Sequence, residues 1–211
     1  MGNFKEYVRK IRNSMNWLFK GNKVKVHGKG NEFNRNVSSN IRHTNIVIKG
    51  NNNKVLIGDN CSISGLRILI EGDNNIVDIG AGTGINASVI QPTVINAFGG
   101  KKIQIGEGCL FSNNIEIHTT DYHGIYDTNG NRINYDKDII IGKKVWLCLG
   151  VKILKGTEIA DGCIVGAGSL LAGQYKEKNT VIAGNPGKII KKQVHWNPER
   201  KDKITQELLR Q

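Results

Sequence analysis

Aliphatic residues recur at every sixth position along the second half of the chain. Six of them share one register: Ile141, Leu147, Ile153, Ile159, Val165 and Leu171. The positions four residues after the first five of these are small or β-branched: Val145, Val151, Thr157, Cys163 and Ser169. Neither an amphipathic helix, with a period of ~3.6, nor a simple alternating strand, with a period of ~2, produces this pattern. A short strand and a corner, repeated many times, do produce it, so the sequence predicts an all-β solenoid.

The same register extends less regularly toward the N-terminus. Its members there are Ile57, Ile63, Ile105, Phe111 and Ile117. Cys61 and Cys109, like Cys163, fall in the small slot, and we expect all three to be compact core residues. Between residues 46 and 105 the short apolar runs are separated by Asn and Gly, which tolerate the positive φ angles of sharp turns.

Two segments with helical spacing flank the solenoid. Residues 4–19 place their apolar side chains on one helical face, and Gly21 ends the pattern. Asn197, Pro198 and Glu199 fit the first positions of a second helix, with Asn197 as N-cap. We expect both helices to pack on a solenoid end or on a neighbouring subunit, and docking of the N-terminal helix on a membrane surface is the alternative.

These patterns divide the chain into three parts. Residues 1–29 are predicted to form a basic amphipathic helix and a linker, and residues 193–211 a C-terminal helix. Residues 30–192 are predicted to form the β-solenoid, with an extended loop at about 123–138 where the repeat is lost. The 211 residues leave little room for a further domain.

Positive charge is concentrated at the two ends of the chain. Residues 1–29 carry 8 Lys and Arg against 1 Asp and Glu, and residues 188–211 carry 7 against 3, whereas residues 30–187 carry 15 against 14. We find no basic stripe with interleaved aromatic residues and no nucleic-acid-binding module, so we expect no nucleic-acid partner. Basic ends suit phosphate groups or an anionic membrane surface.

The sequence shows no signal for a membrane span, a secretory signal or a metal site. No apolar stretch approaches ~20 residues, and no apolar signal-peptide core is present, so we expect a cytoplasmic protein, with the inner face of the membrane as a peripheral location. The four Cys and five His form no pair or set with metal-ligand spacing, and we expect no metal. Cys148 lies between Leu147 and Leu149, whose apolar side chains would make its thiol a poor nucleophile.

Four motifs follow one another along the part of the chain that contains the repeat. They are Asp121-Tyr-His123-Gly-Ile-Tyr126-Asp127, Arg132-Ile-Asn134, Ile141-Gly-Lys-Lys-Val-Trp146 and Ala183-Gly-Asn-Pro-Gly-Lys188. Together with the repeat they resemble the hexapeptide-repeat acyltransferases over about residues 46–192, most closely those that acetylate bacterial surface polysaccharides. This resemblance implies a left-handed parallel β-helix and a homotrimer with sites between subunits. It also implies acetyl-CoA as donor and a sugar hydroxyl of a polysaccharide or its precursor as acceptor.

Acyl transfer to a hydroxyl requires a base that works near neutral pH, and histidine meets this requirement. The resemblance assigns that role to His123 and places Trp146 in the active site. His123 also opens the polar stretch in which the repeat is lost, so a loop would carry it to the surface. His118 is an alternative base or a second active-site histidine. Asp121 is a candidate to orient the His123 imidazole, with capping of a turn as the alternative.

The remaining site residues follow from the resemblance and from loop placement. The donor-binding candidates line the pantetheine arm or meet the phosphates of coenzyme A: Gly150, Lys152, Ala167, Ser169, Pro186, Lys188 and Lys191. The acceptor-binding candidates lie in the extended loop: Tyr126, Asp127, Arg132 and Asn134. A backbone N–H near Gly150 is a candidate to stabilise the oxyanion.

Two other functions remain open at this point. An N-acetyltransferase of an amino or nucleotide sugar would use the same fold and donor on an amine. A non-enzymatic β-helix scaffold would bind polyanions or membranes through its basic ends.

Overall fold

The computed structural model describes Trp17 and residues 19–199, and in this range the chain forms strands arranged in three sheets. The first sheet, sheet A, contains β1 (Lys23–His27), β4 (Asn45–Lys49), β7 (Leu66–Glu71), β10 (Thr93–Phe98), β13 (Glu116–His118), β16 (Lys152–Ile153) and β19 (Leu170–Leu171). Sheet B contains β2 (Glu32–Arg35), β5 (Lys54–Ile57), β8 (Ile76–Ile79), β11 (Lys102–Ile105), β14 (Ile139–Ile141), β17 (Glu158–Ile159) and β20 (Gln174–Tyr175). Sheet C contains β3 (Asn40–Arg42), β6 (Ser62–Ser64), β9 (Gly84–Asn86), β12 (Leu110–Phe111), β15 (Trp146–Leu147), β18 (Ile164–Val165), β21 (Val181–Ala183) and β22 (Lys188–Lys191).

The chain visits the three sheets in turn, so that each coil adds one strand to sheet A, one to sheet B and one to sheet C. Neighbouring strands in each sheet are parallel, and the exception in the described residues is the last pair, β21 and β22, which is antiparallel. The result is a three-sided parallel β-helix. The predicted all-β solenoid is confirmed.

The six-residue register is the inward face of this helix. Ile153 pairs with Leu171 in sheet A, Ile141 with Ile159 in sheet B, and Leu147 with Val165 in sheet C. All six side chains are at most 1% exposed, so each side of a coil contributes one fully buried aliphatic residue. Stacking these residues in columns removes their apolar surface from water, which is the main stabilising contribution in such a fold.

The small slots are buried as well, as predicted. Cys61, Cys109 and Cys163 are at most 2% exposed, and burial raises the pKa of the Cys109 thiol to about 12. The Cys109 thiol therefore remains protonated at neutral pH, and all three cysteines act as small core residues.

Glycine is required where the backbones of successive coils approach closely at the corner after sheet B. A Cβ atom built on Gly106 would lie 2.5 Å from the carbonyl carbon and oxygen of Gly142, in the next coil. Both contacted atoms belong to the backbone, so this steric clash can be removed only if one coil shifts against the other.

We therefore expect Gly106→Ala to lower the free energy of unfolding by about 3 kcal/mol, through overpacking between two backbones. At roughly 2–4 °C per kcal/mol for a chain of this size, the midpoint of thermal unfolding would fall by roughly 6–12 °C. Gly173→Ala is the matched control, because a Cβ there meets no heavy atom within 4 Å and the backbone is not left-handed. Similar unfolding midpoints for the two variants would contradict this explanation.

The β-helix begins earlier than the predicted boundary at residue 30. Residues 23–27, placed in a linker by the sequence analysis, form β1 and pair in register with β4. Val24 lies opposite Ile46 and Val26 opposite Ile48, so β1 has an apolar inward face. The lysines that alternate with these valines gave the segment its basic character, but they point outward and do not prevent strand pairing.

The two predicted terminal helices fall largely outside the described residues. Of residues 4–19 the structure describes Trp17 and Phe19, and Trp17 packs against Phe33 with ring centroids 5.7 Å apart. Near the other end, the Asn197 side chain accepts a hydrogen bond from the amide of Glu199 at 2.8 Å, and the helix expected beyond that point lies outside the described range. Trp17 and Phe19 have helical backbone conformation, but no complete helix lies in the described part of the chain, and no helix there is long and apolar enough to cross a membrane.

Candidate active site

An extended loop interrupts the coil between β13 and β14 and covers residues 119–138. Its two ends meet, because the amide of Lys137 donates a hydrogen bond to the carbonyl of Thr119 at 3.1 Å. The loop is therefore an excursion from the corner between sheets A and B, and the coil resumes without a break. Loops held by a rigid scaffold in this way commonly carry functional side chains.

His123 lies near the start of this loop and is exposed. Its amide donates to the carbonyl of Asp121 at 2.8 Å, and its own carbonyl accepts from Asn134 Nδ2 at 2.7 Å. Among the described residues no hydrogen bond is formed by the imidazole ring. The loop therefore fixes the backbone of His123 and leaves both ring nitrogens accessible to a substrate.

Asp121 anchors the loop to the coil. Its carboxylate pairs with Lys155 Nζ, at the corresponding corner of the next coil, and accepts a hydrogen bond from Asn134 Nδ2 at 2.9 Å. The Lys155 ammonium holds the pKa of this carboxyl below its usual value. The described contacts of the carboxylate do not include the His123 imidazole, so the geometry gives Asp121 an anchoring contact and no orienting one.

Asn134 is the centre of the hydrogen bonding in the loop. Its Oδ1 accepts from the amide of Ile125 at 2.7 Å and from Arg132 Nε at 3.3 Å, while its Nδ2 donates to Asp121 and to the carbonyl of His123. These four bonds use the full capacity of a side-chain amide. Asn134 therefore stabilises the loop conformation and has little capacity left for a sugar hydroxyl.

The other acceptor-binding candidates form a small antiparallel turn at the tip of the loop. Tyr126 and Arg132 face each other across an isolated bridge. Asp127 closes the turn by accepting from the amides of Asn129 and Asn131 at 2.9 and 2.8 Å, and the hydrogen bonds from Asn131 lower its pKa. The Tyr126 side chain is 62% exposed and is thus the most accessible of the four candidates.

Trp146, the first residue of β15, is half-buried on the outer face of sheet C. Its ring packs against Trp196, with centroids 5.9 Å apart, and Trp196 Nε1 donates to the carbonyl of Lys144 at 2.7 Å. Sequence reasoning did not select Trp196. The sequence signal that could have found it is the residue type, because a tryptophan is conspicuous in a chain with only 6% aromatic residues.

No described contact within one chain links His123 to Trp146. His123 leaves the corner between sheets A and B, whereas Trp146 follows the corner between sheets B and C.

The donor-binding candidates gather along the edge where sheet C turns into sheet A. Gly150 and exposed Ala167 occupy this corner in neighbouring coils. Ser169, in the same coil as Ala167, is 1% exposed and so does not line the surface; its Oγ accepts from the amide of Gly184 at 3.1 Å, just before the cis peptide bond that precedes Pro186. Small side chains leave this edge open. The amide of Gly150 already donates to the carbonyl of Asn113 at 3.0 Å, which removes it as an oxyanion donor.

The three lysine candidates differ in their surroundings. Lys188 and Lys191 are exposed on β22, the edge strand of sheet C. Lys152 lies instead on sheet A, where its Nζ is 3.3 Å from the carboxylate of Glu116. The structure thus places Lys188 beside the Pro186 turn, Lys191 at the other end of β22 opposite Val181, and Lys152 in an ion pair on a different sheet.

His118, the alternative base, lies in a polar cluster on the outer face of sheet A. Its Nδ1 is 3.0 Å from Asn96 Nδ2 and 2.9 Å from the Tyr122 hydroxyl, and its Nε2 is 3.5 Å from Glu116. Burial lowers the pKa of His118, so the ring stays neutral. Both of its ring nitrogens face partners within the chain, unlike those of His123.

Nucleophilic and metal chemistry find little support in the described residues. Burial raises the pKa of the Cys148 thiol, which keeps it in the less reactive protonated form. Among the described side chains, no three His, Cys, Asp or Glu converge as a metal site would require.

Comparison with known proteins assigns the chain. No protein-family model matches it. A polysialic acid O-acetyltransferase of Neisseria meningitidis is 38% identical over 186 residues, which is 80% of this chain and 86% of the relative. The structure of the polysialic-acid-specific acetyltransferase NeuO has a TM-score of 0.68 and 28% identity, and covers 87% of this chain and 92% of its own. The structure of the polysialic acid O-acetyltransferase OatWY has a TM-score of 0.67 and 31% sequence identity, and the match covers 88% of this chain and 96% of that one.

The extent of these matches confirms the resemblance that the repeat and the four motifs suggested, because identity above 30% extends over most of both chains. The parallel three-sided helix agrees with the fold of the left-handed β-helix acetyltransferases. The protein is therefore an acyltransferase and belongs to the hexapeptide-repeat acetyltransferases, together with the polysialic acid O-acetyltransferases.

Proposed function

We propose that the protein transfers an acetyl group from acetyl-CoA to a sugar hydroxyl of a bacterial surface polysaccharide or its precursor, with His123 as general base. Its relatives are named as O-acetyltransferases of polysialic acid, which supports both the reaction and the class of acceptor. The single structural observation behind the role of His123 is its exposed imidazole on a backbone held from both sides.

The reaction follows from the chemistry of the two groups. A sugar hydroxyl is a weak nucleophile at neutral pH, so His123 accepts its proton as the hydroxyl oxygen attacks the thioester carbonyl. The tetrahedral intermediate then expels the thiolate of coenzyme A, and the imidazolium returns the proton to that sulfur. The sugar oxygen has gained the acetyl group, the C–S bond is broken, and His123 is neutral again.

The edge between sheets C and A suits the donor. A slender pantetheine arm needs a path without bulky side chains, and the stacked corners at Gly150 and Gly168 provide one. Lys188 and Lys191, exposed on β22 beyond the Pro186 turn, supply cations for the phosphates of coenzyme A. Lys152 contributes less, because Glu116 partly neutralises it.

We further propose that the enzyme is a homotrimer whose sites lie between subunits. The support is that His123 and Trp146 follow different corners of the coil and that no described contact within one chain links them. A neighbouring chain that packs against the loop can place its own Trp146 beside His123. Each site would then combine the base of one subunit with the tryptophan and donor-binding edge of the next.

Mixing two inactive variants tests this arrangement. We expect His123→Ala and Trp146→Ala each to be nearly inactive, and we expect activity to reappear when they are unfolded together and refolded. The reason is that every mixed trimer contains one site with both native side chains. Separately refolded samples combined afterwards are the control. Equal activity in the co-refolded and the combined samples would contradict a shared site, and a monomer by light scattering would contradict the trimer.

The chemical identity of the product decides between O- and N-acetylation. Incubation with acetyl-CoA and a panel of sugars and amino sugars, followed by mass spectrometry, would show the gain of one acetyl group. We expect mild base to remove it, because esters hydrolyse under conditions that amides survive. A base-stable product formed only with amino sugars would replace the proposed acceptor with an amine.

A further inference from the structure

We infer that Tyr122 is a positioning residue for His123, clamped to sheet A by the side chains of Asn96 and His118. The inference rests on the proposed role of His123 as the base. It extends that proposal by explaining how an imidazole with no hydrogen bond of its own within the described chain is aimed.

The backbone of Tyr122 adopts a conformation that its side chain disfavours. Its φ angle is 65°, in the left-handed region, where bulky non-glycine residues are rarely found. Such strain persists only where the surroundings enforce it, and it tends to occur at functional sites. Tyr122 directly precedes His123, so its backbone angles set the direction in which the histidine leaves the sheet.

Contacts of the Tyr122 side chain stabilise this backbone conformation. Its hydroxyl lies 2.6 Å from Asn96 Nδ2 and 2.9 Å from His118 Nδ1, and its ring meets Phe98 edge-on with centroids 5.4 Å apart. The Tyr122 amide also donates to Thr120 Oγ1 at 3.0 Å. These contacts hold the side chain on the sheet while the backbone turns away from it.

The partners of Tyr122 are themselves rigid. Asn96 and His118 lie directly opposite each other in the pairing of β10 and β13, and their side chains are in contact at 3.0 Å. Nδ1 of His118 can accept the hydroxyl proton of Tyr122 when the ring proton resides on Nε2, which faces Glu116 at 3.5 Å. Asn96 is only 8% exposed, so the side chain that donates to the Tyr122 hydroxyl is itself held in a buried position.

A second set of contacts fixes the backbone on the C-terminal side of His123. Asn134 Nδ2 binds the His123 carbonyl, and the Asp121–Lys155 pair ties the same stretch to the next coil. The backbone of His123 is thus fixed from the preceding residue through Tyr122 and from the following residues through Asn134. Because its ring has no partner of its own in the described chain, the orientation of the ring depends on this backbone.

Tyr122→Phe tests the clamp, since it keeps the ring on Phe98 and removes only the hydroxyl. We expect kcat to fall about tenfold, because small misplacements of a catalytic group have effects of this size or larger. The KM for acetyl-CoA and the unfolding midpoint should stay unchanged. Tyr135→Phe is the matched control: Tyr135 lies in the same loop, is 62% exposed, and has no hydroxyl hydrogen bond among the described residues. We expect it to match the wild type.

A double-mutant cycle separates positioning from a general structural role. If Tyr122 acts through His123, Tyr122→Phe should lower kcat in the wild-type background and leave the residual rate of His123→Ala unchanged. An equal loss in both backgrounds, or no loss in the wild-type background, would overturn the inference while leaving His123 as the base. A His123→Ala enzyme with the wild-type rate would instead overturn the proposed base, and the inference with it.

Discussion

Replacing His123 with alanine is expected to lower kcat by about 10²–10⁴-fold, the range typical for removal of a general base. The hydroxyl would then have to attack without a proton acceptor in the site. The KM for acetyl-CoA should change little, because the proposed donor contacts are made by other residues, such as Gly150 and Lys188. Steady-state thiol release at saturating acceptor measures both quantities.

His27→Ala is the control for this prediction. His27 is exposed on β1, in the first coil, and carries none of the proposed chemistry. Its variant should retain the wild-type kcat. A His123→Ala enzyme within threefold of the wild type, or a His27→Ala enzyme equally impaired, would remove His123 as the base.

Replacing Phe111 with alanine is expected to destabilise the protein by about 3–5 kcal/mol, the range for truncating a buried phenylalanine. Phe111 is fully buried and stacks between Ile85 and Leu147 in the inward column of sheet C. Its loss leaves a cavity that two neighbouring coils cannot easily close, because their backbones are already in register. The unfolding midpoint should fall by roughly 6–20 °C.

Phe111→Leu provides the comparison for that variant. Leucine restores the aliphatic type found at the other positions of the column, such as Ile85 and Leu147, and fills most of the space, so its effect should be well under half that of alanine. Equal unfolding midpoints for the two variants would show that filling this column matters less than the repeat implies.

The solenoid could be predicted because its constraint is local and repeated. Every coil must turn three corners and bury one aliphatic residue on each side, so Ile141, Leu147 and Ile153 report the geometry directly as a period in the sequence. The small slots follow for the same reason. The strand β1 was missed because its lysines dominate the composition of the segment, although the alternation of Val24 and Val26 already carried the signal.

The contacts of the extended loop were beyond prediction from sequence. Asp121 and Lys155 are 34 residues apart and meet because the loop returns to the corner it left, which no periodicity encodes. The same holds for Trp196 and Lys144, separated by 52 residues. Motif resemblance supplied candidates for the site, but the partners of Asp121, Asn134 and His118 came from the three-dimensional arrangement.

The central claim is tested most directly by following acetyl transfer from acetyl-CoA to a surface polysaccharide, with polysialic acid and neutral glycans compared side by side. We predict thiol release that depends on an acceptor, together with a base-labile acetyl group on the glycan, and loss of both signals in His123→Ala. Acetyl-CoA that neither binds in calorimetry nor releases thiol with any acceptor would contradict the account and favour a non-enzymatic scaffold.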